Sequence, residues 1–68
     1  MENLNQTTKC WATPIEVADY LSVSKKTIYR LVSDKELVAA KIRGSLRIKV
    51  DSLRRYERKQ VQLFDLDN

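Results

Sequence analysis

The chain has 68 residues, 43% of them hydrophobic and 32% charged, an ordinary globular balance that suits one small domain with no separate effector domain. It has no histidine and a single cysteine, Cys10, which excludes an internal disulfide and removes both the usual zinc ligands and the usual neutral-pH general base. The carboxylates Glu16, Asp19, Asp34, Glu36, Asp51 and Glu57 are scattered and read as caps or surface charges, so no enzyme, metal or cofactor is expected.

The net charge of +4 is unevenly spread: twelve cations and four anions lie between Lys25 and Lys59, a local +8 with acidic flanks. Concentrated positive charge on a small domain is the footprint of a polyanion binder. No apolar run approaches the roughly 18 residues of a membrane span, and "MENLNQTTKC" lacks the apolar core of a signal peptide. A cytoplasmic protein without a membrane partner is the expectation.

Residues 1–10 are polar and aperiodic and read as a flexible arm. "TPIEVADYL" then opens a helix, with Thr13 as N-cap, Pro14 at the first helical position and Glu16 closing a capping box. Ile15, Ala18 and Leu21 form its apolar face with Val17 at the margin, while Glu16, Asp19 and Tyr20 point away. The helix should end near Leu21. In "SVS", Ser22 leaves the helix, Val23 is a buried-type turn residue and Ser24 caps the next helix. "KKTIYRLVSD" places Ile28, Leu31 and Val32 toward the core and Lys25, Lys26, Tyr29, Arg30 and Ser33 outward. Two short helices across a tight turn are a helix-turn-helix.

After Asp34 the period changes to two. Ala40, Ile42, Leu46, Ile48 and Val50 occupy even positions, and Lys41, Arg43, Ser45, Arg47 and Lys49 odd ones. This alternation predicts a half-buried strand pair turning at Gly44. Residues that pair across a hairpin share a face, so even residues are expected to oppose even ones through a loop of odd length or a bulge, giving an apolar face on the helices and a face of four cations toward solvent. Asp51 should cap a third helix, "SLRRYERKQ", with Leu53 and Tyr56 inward and Arg54, Arg55, Arg58 and Lys59 outward. The stretch 61–68, "VQLFDLDN", either extends this helix or is a peptide awaiting a partner.

The expected fold is α+β, mainly helical: a winged helix-turn-helix with a two-stranded antiparallel wing and a C-terminal helix, the domain covering 11–60. A helix fits the major groove of B-DNA, so the second helix is the expected reader. Its N-terminal N–H groups favour a phosphate, and Lys25 and Lys26 add charge there. The candidate DNA-binding residues are Ser24, Lys25, Lys26, Thr27, Tyr29, Arg30 and Ser33 on the helix, and Lys41, Arg43, Ser45, Arg47 and Lys49 on the wing. Arg30 suits a guanine edge; Tyr29 either meets a phosphate or packs. A slender basic ribbon can enter a narrow minor groove. Trp11, Tyr20 and Tyr56 stand apart in sequence and read as packing residues rather than as stacking platforms.

Residues 11–57 resemble the excisionase-like helix-turn-helix family, related to the DNA-binding part of MerR regulators. Trp11, Thr13, Glu16, Ala18, Tyr20, Leu21, Val23, Ser24, Thr27, Tyr29, Arg30 and Leu31 match its pattern in register, as do Asp34, Leu37, Gly44, Arg47, Ile48 and Leu53. Three positions depart from it: Lys35 replaces a usual Gly, Val38 a common Pro and Leu46 a common wing Trp. Lys35 therefore either sits in a different cap or takes a left-handed conformation. The resemblance implies a DNA-bending recombination directionality factor that works beside an attachment site with a phage or mobile-element integrase, and with further copies of itself on adjacent sites. A small transcriptional repressor with the same fold is the alternative, and a protein-interaction module that does not bind DNA is a second.

Overall fold

A computed structural model describes residues 9–66, the side chains as far as Leu63. The expected flexible arm, 1–10, lies for the most part outside the described residues. The elements run β1 (Trp11–Ala12), α1 (Pro14–Leu21), α2 (Lys25–Ser33), β2 (Ala39–Ile42), β3 (Ser45–Lys49) and α3 (Val50–Leu66). This is a winged helix-turn-helix with one strand more than expected. The sheet is antiparallel in the order β1-β3-β2, because Trp11 and Ala12 pair with Lys49 and Ile48.

α1 starts as its sequence dictates. The Glu16 N–H donates to Thr13 Oγ1 at 3.1 Å, and the Thr13 N–H donates to Glu16 Oε1 at 2.8 Å. That N–H, aided by Lys9 at 3.2 Å, holds the Glu16 carboxyl below its ordinary range. The inward face is rotated from the expected one: Val17 is fully buried, whereas Ile15 is 55% exposed. An eight-residue helix offers two overlapping apolar stripes, and packing on α2 and β3 selects the one containing Val17 and Ala18. Tyr20, expected outward, is half-buried against the core, and its hydroxyl donates to Glu57 on α3 at 2.8 Å. This bond, first among the causes, raises the Tyr20 pKa.

α1 ends at Ser22, whose φ is 58°, with the Val23 N–H donating to Ala18 O at 3.0 Å and the Ser22 N–H to Asp19 O at 3.2 Å. Val23, expected to be buried in the turn, is 40% exposed. The same closure recurs after α2: Glu36 N–H to Leu31 O (2.9 Å), Lys35 N–H to Val32 O (3.1 Å), and Lys35 at φ 63°. This is a Schellman motif with lysine at the left-handed position, which costs about 1 kcal/mol relative to glycine.

The core is Ala12, Val17, Ala18, Ile28, Leu37, Ile48, Val50 and Leu53, with Leu31, Val32, Leu46 and Tyr56 packed around it. The third helix starts earlier than expected, at Val50, so Asp51 is not its cap. Asp51 instead lies in the first turn, where a negative charge favours the helix dipole. Buried Ser52 ties this end down. Its hydroxyl donates to Lys49 O at 2.7 Å and accepts from the Val38 N–H at 3.0 Å. The segment from Val61 continues α3, and its described side chains Val61 and Leu63 are exposed.

Candidate nucleic-acid interface

The helix side of the interface is set by two constraints. Ile28 is fully buried and fixes the rotation of α2, so Lys25, Lys26, Tyr29, Arg30 and Ser33 all emerge on its exposed side. Ser24 fixes the N-terminus: the Thr27 N–H donates to Ser24 Oγ at 3.2 Å, and the two hydroxyls lie 2.9 Å apart. Ser24 and half-buried Thr27 thus satisfy each other within the cap, unlike the exposed side chains further along. The Lys25 ammonium stands 5.8 Å from the centre of the Tyr29 ring, a cation–π distance that links two of the expected contacts. Arg30 approaches Asp34 at 4.0 Å, but with side chains 83% and 61% exposed that pair is worth little and yields readily to a better acceptor.

The wing corrects the expected register. β2 and β3 join through two residues, Arg43 (φ 55°) and Gly44 (φ 80°), both in the positive-φ conformation of a type I′ turn. The pairs are Ala39 with Ile48, Ala40 with Arg47, Lys41 with Leu46 and Ile42 with Ser45. Odd therefore opposes even, and there is neither a bulge nor an odd loop. The sequence alternation is real, but the two strands carry it in opposite phase. Ile48 and Leu46 face inward together with Ala39 and Lys41, while Ile42 lies on the outer face, 41% exposed. The turn decides this outcome, since its twist matches that of the strands and repays a left-handed arginine.

The five wing candidates are consequently distributed around the ribbon instead of sharing one face. Arg43 is at the tip, Lys41 shares the inner side beyond the edge of the core, and Ser45, Arg47 and Lys49 lie on the outer side with Trp11 and Ile42. Arg47 is half-buried, its guanidinium donating to Leu46 O at 3.0 Å. Among the described residues, Lys26, Lys41, Arg43, Arg47 and Lys49 enter no ion pair. A finger charged at its tip and on both flanks suits insertion between two phosphate backbones better than a ribbon with one basic face. Trp11 and Ile42 were missed as neighbours of these cations. A two-residue strand leaves no periodic signal, and the register of Ile42 depends on the turn.

Among the described residues, no group of three or more His, Cys, Asp or Glu side chains could hold a metal ion, and no helix is long and apolar enough to cross a membrane. A family model described as a helix-turn-helix domain matches residues 13–61. Comparison with curated proteins gives no match, nor does comparison with solved structures.

Proposed function

Since the chain belongs to this helix-turn-helix domain family, a DNA-binding fold, we propose that it is a sequence-specific double-stranded DNA-binding protein acting as an excisionase. It binds and bends DNA beside an attachment site and directs a phage or mobile-element integrase toward excision, without catalysing any step itself. The observation that carries this function is the pairing of two dissimilar cationic elements on one small core: the exposed face of α2 and the charged finger of the wing.

In this function the first turn of α2 meets a phosphate through its N–H groups with Lys25 and Lys26, Arg30 reads a base edge, and Tyr29 and Ser33 flank it. Arg43, Lys41, Arg47 and Lys49 follow the adjacent minor groove, and Ser45 lies beside them. Bending lets a domain this small engage both elements at once.

Two measurements test it. With about five to seven phosphate contacts, log K against log salt should fall with a slope of about −4.5 to −6. Integrase-driven excision reconstituted with and without the protein should require it. Excision that proceeds equally well without the protein removes the excisionase role, whereas duplex binding that ignores both salt and the Arg30→Ala/Arg47→Ala pair removes this cationic surface as the DNA interface.

A further inference from the structure

A second group of cations gathers at the far end of α2. There a cleft of about 230 Å³ opens between the segment leaving α2, with Lys35, Glu36 and Val38, and α3, with Arg55, Tyr56 and Lys59. The single carboxylate among these residues is already engaged, accepting from Lys59 Nζ at 3.3 Å. Lys35 and Arg55 enter no ion pair among the described residues. The nine residues of α2 rise about 13 Å, so this cleft lies a full helix length from the end proposed to meet DNA. Exposed Val38 and half-buried Tyr56 give it an apolar wall beside the charges. Its chemistry calls for an aliphatic group with an anion next to it.

The chain carries such a segment in its own C-terminal turns. No cation follows Lys59 in the sequence, which continues with Val61, Leu63, Asp65 and Asp67. Val61 is 60% exposed, and position 65 follows it by four residues on the same helical face. These turns do not reach the cleft of their own chain. They belong to the same continuous helix that lines it, and position 65 lies about 9 Å along the axis beyond Lys59.

We propose that the cleft receives the last turns of α3 from a second copy of this chain, the acidic end seated among Lys35, Arg55 and Lys59 and the aliphatic residues against Val38 and Tyr56. The contact is head-to-tail, so a joined pair keeps one unused cleft and one unused helix end, and copies line up in a row instead of closing as a dimer. A contact this small falls below the roughly 1,200 Å² typical of stable complexes. It is therefore weak between free molecules and gains its strength from copies held side by side.

The full chain without DNA tests this independently of its DNA binding. As concentration rises from micromolar to millimolar, backbone amide resonances should shift at 35–38, 55–59 and 61–66, and sedimentation should show species beyond a dimer. K35E/R55E, which blocks the cleft, and D65N/D67N, which leaves the helix end without its charge, should each remain monomeric. Mixed, they should form a one-to-one complex that grows no further, because only one junction survives. A wild-type chain with no concentration-dependent shifts overturns the proposal. So does association of K35E/R55E equal to that of the wild type, or a mixture that stays monomeric.

Discussion

α2 and the wing present similar charge to solvent, yet the two are held in opposite ways. α2 is keyed to the core by fully buried Ile28 and closed at both ends, by the Ser24 cap and the Schellman bonds at Lys35. The end of the wing is five consecutive exposed residues, 41–45, supported by ladder hydrogen bonds alone. The difference suits the two DNA contacts proposed for these elements. A base edge must be met by side chains of fixed geometry, whereas phosphates along a deformable minor groove are better met by a finger that can adjust.

Truncating the key of the stiff element should have the largest effect. Ile28→Ala should destabilise the fold by about 2–5 kcal/mol, while Ile42→Ala on the outer wing face should change stability by less than about 0.5 kcal/mol. Urea unfolding of both variants checks this, and equal losses would dissolve the contrast. Next in size is the split in DNA readout. Arg30→Ala should cost about 1–3 kcal/mol on the preferred site and little on random duplex. Arg47→Ala should weaken both and lower the salt slope by about 0.9. Binding titrations on the two duplexes at several salt concentrations separate the outcomes.

A smaller effect sharpens the comparison at the wing tip. Arg43→Gly removes a left-handed penalty of about 1–2 kcal/mol but adds a glycine's entropic cost of about 0.5–1 kcal/mol. The variant should therefore be up to about 1.5 kcal/mol more stable yet bind duplex DNA less tightly. The smallest effect belongs to the acid limb. Glu16 titrates lower in the folded chain than its ordinary value, so its contribution is complete above the normal carboxylate range and disappears as the pH falls through the depressed value. A denaturation series from neutral to acid pH should lose stability there, and Glu16→Gln should flatten that limb.

The helical half of the molecule was legible because its signals are local. Thr13, Pro14 and Glu16 mark one start and Ser24 another, and the spacing of Ile28, Leu31 and Val32 orients the second helix. What escaped depends on partners distant in sequence. The Tyr20–Glu57 bond spans 37 positions, and β1 exists only because Ile48 and Lys49 offer it an edge. The choice between Ile15 and Val17 was made by the neighbours of α1. The wing's existence was plain from its alternation, but its phase turned on whether Arg43 would accept a positive φ, which nothing in the alternation records. Of the candidate contacts, the outward face of α2 emerged as read; those of the wing were dispersed around the ribbon.

β3 ends at Lys49 and α3 begins at Val50, with no connecting residue between them. Strand and helix are therefore one stiff piece, pinned at the junction by the Ser52 hydroxyl bridging Lys49 and Val38. With Val50 and Leu53 buried beside this joint, the base of the finger is anchored to the core, and only its exposed end, 41–45, is left free to adapt.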